Sequence, residues 1–197
     1  MTIQTILKMG NPALNVVSEP VPDPAAPAIR ALLQDMRDTL ESVSGIGLAA
    51  PQIGVPLRVV LYCLPASRIP AGAATAPVPW TALINPTIVA LSDEKVHLWE
   101  RCLSLPGLYA RVPRHEHIAI RYQSADGAWL QKECHGYHAT LLQHECDHLE
   151  GVLYPARMSQ PTDLAFASEV CGPAGVYTYS VDEFDGVRAG EGGASQA

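Results

Sequence analysis

The chain has 197 residues, of which 48% are hydrophobic and 17% charged, and it carries a net charge of −7. That size and balance suit one globular domain with a real core. No run approaches the roughly 18 apolar residues of a membrane-spanning helix, and no Lys/Arg cluster offsets the negative charge, which argues against a nucleic-acid surface or docking on an anionic membrane.

The five cysteines, Cys63, Cys102, Cys134, Cys146 and Cys171, are odd in number and irregularly spaced. They fit a reduced, cytoplasmic protein better than a disulfide scaffold. Met1 to Lys8 shows no secretory signal pattern.

Residues 1 to 25 hold Pro12, Pro20, Pro22 and Pro24 without helical period, so an extended arm is expected. Ile29, Leu32, Leu33, Met36 and Leu40 then recur at steps of three and four, the pattern of an amphipathic helix with Pro27 at its start and Gly45 beyond its end. Arg58 to Leu64 reads as a buried strand. Residues 65 to 79, rich in Pro, Ala and Gly, read as a surface loop. Leu83 to Val89 predicts a strand interrupted by Pro86. Glu94 to Arg101, Ile118 to Gln123 and Ala128 to Glu133 predict further strands, the last two joined by a hairpin turn at Ala125-Asp126-Gly127.

From Tyr137 to Leu149 the period is helical again, with Gly151 as its stop. The expected class is α+β: mostly antiparallel strands around one central helix, with a second, N-terminal amphipathic helix. One domain is expected over 1–175. An acidic, Gly-rich and partly disordered tail is expected over 176–197, containing Asp182, Glu183 and Asp185.

The late helix carries the most informative stretch, Gln143-His144-Glu145-Cys146-Asp147-His148-Leu149-Glu150-Gly151. Its H-E-x-x-H core puts two imidazoles at i and i+4, on one helical face, where both can reach one metal ion. Glu145 follows the first His and is placed to handle a proton on water. Asp147 points away from that face, which suits an ion pair, with Arg114 as a candidate partner. A catalytic metal site needs a third protein ligand. No His lies downstream of His148, and the acidic residues there sit in no expected context, which argues against a zincin-type endopeptidase.

Two upstream segments can complete the site. Glu100-Arg101-Cys102-Leu103-Ser104-Leu105-Pro106-Gly107 places a thiol where a strand gives way to a turn; taken alone, Cys102 reads better as a small buried residue. Gly45-Ile46-Gly47-Leu48-Ala49-Ala50-Pro51-Gln52 offers two glycines for close backbone approach and an amide suited to an oxyanion; taken alone, the glycines read as a simple connection.

Taken together and in this order, G-I-G-L-A-A-P-Q, C-L-S-x-P-G and Q-H-E-x-D-H-L-x-G resemble the peptide deformylase family over roughly residues 5 to 160. Val112-Pro113-Arg114 and Gly136 to Thr140 are similar to the longer proteobacterial and mitochondrial members.

The resemblance implies that Cys102, His144 and His148 are metal ligands and Glu145 the general acid/base. Gln52 and the Leu103 N–H would hold the formyl oxygen. Ile46 and Gly47 would pair with substrate backbone as an added strand, and Ile46, Tyr137, Leu141 and His144 are candidate walls for the methionine side chain. It implies one divalent ion, Fe²⁺ first, with Zn²⁺, Ni²⁺ or Co²⁺ able to substitute. The substrates implied are formyl-methionyl nascent peptides, met with transient proximity to the ribosome.

One departure stands out: the family usually has Gly where this chain has Arg101. A positive φ there would cost an arginine about 1 kcal/mol or more, and its side chain could crowd the cleft or offer a positive charge. Altered N-acyl-peptide specificity or low activity is the alternative expectation. A silent, peptide-binding member is disfavoured by the retention of Glu145, Gln52 and all three ligands. His97, His115, His117, His135 and His138 are expected to be ordinary histidines, and Cys63, Cys134, Cys146 and Cys171 packing residues.

Overall fold

A computed structural model describes residues 2–69 and 73–170. The helix predicted near residue 29 spans Pro27–Ser42 (α1), with Pro27 in the first turn, where its missing N–H has no partner to lose. The strands are β1 (Gly47–Ala49), β2 (Val59–Leu64), β3 (Val78–Ala90), β4 (Lys95–Arg101), β5 (Leu108–His115), β6 (His117–Gln123) and β7 (Trp129–His135). Then come α2 (Gly136–Leu149), β8 (Leu164–Phe166) and α3 (Ala167–Val170). Cys171 and the tail expected from 176 lie outside the described residues.

Two antiparallel sheets form, one ordered β1-β2-β3-β6-β7 and the other β4-β5-β8. Alternation along β2 explains how the larger sheet is sandwiched. Val60 and Tyr62 join Ala139, Leu142 and Leu149 of α2 in one cluster. Val59 and Leu61 face the other way, against Ile29, Met36 and Leu40 of α1. Side chains on a strand alternate between faces, so a strand covered on both sides reads as an unbroken apolar run. A third cluster, including Cys102, Val112 and Tyr154, fills the space beside the smaller sheet.

Three sequence expectations need correction. The loop expected over 65 to 79 gives way to strand at Val78, and β3 runs through Pro86 without ending there. The pairing of β3 with β6 shifts between Ile84 and Thr87, and Asn85 takes a φ of 52°. Pro86 therefore sits at an irregularity where no ladder N–H is required of it. Strands β1 and β5 were not anticipated. The arm does run extended, apart from a short 3-10 turn at Pro12–Asn15.

Gly151 ends α2 for a packing reason as well as a conformational one. Its φ is +68°, and a Cβ there would lie 2.6 Å from the Asn15 carbonyl carbon of the arm. Only glycine meets both demands. Among the described residues no helix is long and apolar enough to cross a membrane.

Candidate metal centre and substrate cleft

The buried face of α2 presents His144, Glu145 and His148 toward the end of β4. Cys102 follows directly on β4, and its Sγ lies 3.3 Å from His148 Nε2. One ligand atom from each of Cys102, His144 and His148 falls within 4.8 Å of the others, and all three residues are buried. Four-coordinate bonds of about 2.0–2.3 Å to N and S put ligand atoms about 3.5 Å apart, so the trio is close enough to hold a divalent ion.

The surroundings prepare that donor set. His144 Nδ1 sits 2.7 Å from Glu100 Oε2, which fixes the ring and leaves its Nε2 for the ion. Glu100 also accepts from Arg114 Nε at 2.7 Å and from its terminal nitrogen at 3.0 Å. Burial by itself would raise the Glu100 carboxyl, but the Arg114 charge and the His144 hydrogen bond outweigh it and hold the pKa at about 2. Arg114 reaches on to Asp147 at 2.5 Å, and Arg157 closes the far side of Asp147 at 2.8 Å. Asp147 thus faces away from the ligands into an ion-pair chain. The His148 ring is pushed well below the usual histidine pKa by burial and then by His144, which favours the neutral form a metal ligand needs.

Gln52 is aimed by its backbone. It lies in a 3-10 turn at Ala50–Ile53, where its side-chain oxygen accepts from Ala49 N at 2.9 Å. Its Nε2 therefore points at the centre, donating to Ser104 Oγ at 3.1 Å and toward Cys102 Sγ at 3.4 Å. The Ser104 N–H also points at that sulfur, at 3.4 Å. Such donors stabilise negative charge on sulfur. Sequence reading missed Ser104; the S in C-L-S was its only signal. The Leu103 N–H finds no partner among the described residues, while its carbonyl takes the Lys8 ammonium at 2.8 Å.

Glu145 differs from its neighbours. Burial pushes its carboxyl up to about 7, His144 opposing and Glu100 reinforcing the rise. One of its oxygens is buried without a hydrogen-bond partner. The other lies so near Gly47 that a Cβ on residue 47 would approach within 2.2 Å. A carboxyl group with a pKa near neutrality and a free oxygen can both take and return a proton.

These groups open into a cleft of about 890 Å³. Ile46, Gly47, Arg101, Tyr137 and Leu141, singled out from the sequence, all line it. Ile6 and Lys8 of the arm line it too, which the sequence did not signal. Strand β1 is the outermost strand of its sheet, pairing only with β2 among the described strands, so one of its edges is open. Arg101 is the last residue of β4, and it is not among the residues with positive φ. The backbone strain considered for an arginine at this position is therefore absent.

A model of the polypeptide deformylase family matches residues 3–163. The chain belongs to that family. It is 47% identical over 172 residues to peptide deformylase 1 of Bordetella pertussis, covering 87% of this chain and 96% of that protein. Against peptide deformylase 1 of Nitrosomonas europaea the identity is 45% over 160 residues, covering 80% and 88%. Among solved structures, the peptide deformylase of Ehrlichia chaffeensis superposes with a TM-score of 0.74 at 32% identity, covering 82% of this chain and 91% of that one. The Met-Ala-Ser-bound class I type b enzyme of Acinetobacter baumannii gives 0.73 at 28%, covering 80% and 99%.

The remaining histidines divide in a way the sequence did not predict. His117 and His135 face each other across β6 and β7, with rings stacked at 3.9 Å, and His117 Nε2 lies 2.9 Å from Glu133. They form a partly exposed cluster instead of scattering. His138 is half-buried, 3.1 Å from the hydroxyl of the fully buried Tyr62. Cys134 is buried, and Cys63 and Cys146 half-buried, all as free thiols.

Proposed function

We propose that this deformylase hydrolyses the N-formyl group from the N-terminal methionine of newly made polypeptides, releasing formate. One observation carries the reading: a thiol and two imidazoles converge within 4.8 Å beside a buried carboxyl whose pKa stands at about 7. Cys102, His144 and His148 would hold a divalent ion. Once bound, that ion supplies Lewis acidity to the water and to the formyl oxygen.

The chain's own residues do the rest. Glu145 accepts a proton from the attacking water and later returns it to the departing amine. Gln52 Nε2 and the Leu103 N–H donate to the formyl oxygen as it gains charge; each such donor is worth roughly 10²–10³ in rate. Substrate backbone adds to the open edge of β1 at Ile46 and Gly47, a mode that binds without reading side chains. Tyr137 and Leu141 enclose the methionine side chain.

A site of one thiolate and two imidazoles accommodates Fe²⁺, Ni²⁺, Co²⁺ or Zn²⁺, and Fe²⁺ is proposed as the native ion. The protein would act in the cytoplasm, as one catalytic unit over residues 1–175, on chains emerging near the ribosome. Arg101 supports a second reading, in which the same chemistry acts on N-acyl peptides with an altered preference. The deciding assay loads the protein with Fe²⁺ without oxygen, or with Ni²⁺, and measures formate from formyl-Met-Ala-Ser. Glu145→Ala should abolish release. Absence of formate with every metal would overturn the proposal.

A further inference from the structure

The cleft mouth is cationic although the whole chain carries a charge of −7. Lys8, Arg68 and Arg101 line it; among the described residues the only acidic lining groups are Glu100 and Glu145. Glu100 is committed to Arg114 and His144, and Glu145 is buried against Gly47 at the inner end. Neither Arg68 nor Arg101 forms an ion pair among the described residues. Both guanidinium charges act on Tyr137: burial raises its hydroxyl pKa, while Arg101 and then Arg68 pull it down. Both arginines line the cleft that Tyr137 also lines.

The direction of a bound peptide follows from β1. Gly47 abuts Glu145, so the reacting end lies there. Upstream of β1, Ile46 O still accepts from Cys63 N at 2.8 Å, and Ser44 O is gripped by Arg68 at 2.5 Å. Between Gly47 and Ser44 the chain leaves the strand through a turn, with Ser44 at a φ of 52°. A peptide with its formyl group at Glu145, leaving antiparallel to β1, runs from Gly47 toward Ser44 and the Arg68 that holds its carbonyl. Arg101, one residue before Cys102, lines the same cleft.

We infer that Arg68 and Arg101 make this cleft selective for substrates with Asp or Glu at the second or third position after formylation of the first. The inference rests on the deformylase reading and adds a substrate class to it. A concave wall of low dielectric focuses such a field and raises the local concentration of oppositely charged ligands.

The test uses the full-length, Ni²⁺-loaded protein with formyl-Met-Ala-Glu, formyl-Met-Ala-Lys and neutral formyl-Met-Ala-Ser, together with the formyl-Met-Glu-Ser and formyl-Met-Lys-Ser pair. Two exposed charge pairs predict kcat/KM for the Glu peptides about 3- to 10-fold above the Lys peptides at low salt, expressed mainly in KM. The ratio should fall toward one in about 0.5 M NaCl and in the Arg68→Gln/Arg101→Gln double variant. A ratio of one in the unmodified protein at low salt, or a ratio unchanged in the double variant, overturns the inference. Should the double variant fail to fold, the salt dependence of the unmodified protein decides. Formate from the Ser peptide with no charge preference sinks this inference alone, whereas no formate from any peptide sinks the deformylase reading with it.

Discussion

Gly47→Ala tests the reaction geometry with a single methyl group. Gly47 is not among the residues with positive φ, so alanine fits the backbone and only space is at issue. The new Cβ would stand 2.2 Å from one Glu145 oxygen, 2.7 Å from its carboxyl carbon and 3.1 Å from its Cγ. A comfortable carbon–oxygen contact is about 3.3 Å, so the carboxyl must retreat by about 1 Å. Glu145 is almost fully buried, with little room to turn. A displacement of that size costs on the order of 10² in rate, and the crowding itself destabilises by about 1–3 kcal/mol. Cys102, His144 and His148 are untouched. The expected result is therefore a kcat/KM for formyl-Met-Ala-Ser lowered about a hundredfold, with metal content near one per chain and a lowered denaturation midpoint. Activity within threefold of the unmodified protein would show that Glu145 does not need its present position, and would refute the assignment of proton transfer to it.

Arg114→Met leaves Glu100 buried beside His144 without its cation and removes one of the two guanidinium partners of Asp147. Stability should fall by about 3–5 kcal/mol in urea titration; a loss under about 1 kcal/mol would mean the chain of ion pairs is not what holds β5 to α2. Adding Ni²⁺ to the stripped protein at about 100 times its dissociation constant should stabilise by about 2.7 kcal/mol, seen as a rise in Tm, and Cys102→Ala should lose most of that rise. An equal rise in Cys102→Ala would remove the sulfur from the ligand set.

Lys132 donates to the Tyr62 oxygen, and the Tyr62 hydroxyl then faces His138 Nε2 as a donor. Burial and then the Lys132 charge depress His138 to about 4, below its unfolded value of 6.5. The unfolded chain therefore binds the proton first. Stability from this group is full above the unfolded value and is lost as pH falls toward 4. His138→Gln should flatten that part of the stability profile, and an NMR titration placing His138 above 6 would contradict the arrangement.

The two helices were legible because their buried faces recur with helical period, as from Ile29 to Leu40, and because H-E-x-x-H fixes two rings on one face. Strand β1 was not legible: Gly-Leu-Ala is too short and too weak in β-forming residues to announce itself, and it exists because β2 supplies a partner. Strand β5 was hidden by Arg111, Pro113 and Arg114, which break up its apolar and β-forming pattern. Arg114 is in fact buried, with only 4% of its side chain exposed, because two carboxylates from other elements meet it. The convergence of Cys102, His144 and His148 was legible through three motifs taken together. Lys8 and Ile6 in the cleft wall were not, since nothing in the arm reveals which part of the body it crosses. The stacking of His117 on His135 required the β6–β7 register, which fixes the two residues as opposite partners.

Glu100 and Cys102 are two positions apart along one stretch of chain, and both turn inward. The first steadies the ring of His144; the second provides the sulfur beside His148. A sideways drift of this stretch would therefore carry the anchor of one ligand and the body of another by the same amount. Whatever sways in the surrounding loops, the thiol and the imidazole keep step, and the ion they hold would meet a cage whose proportions hardly vary.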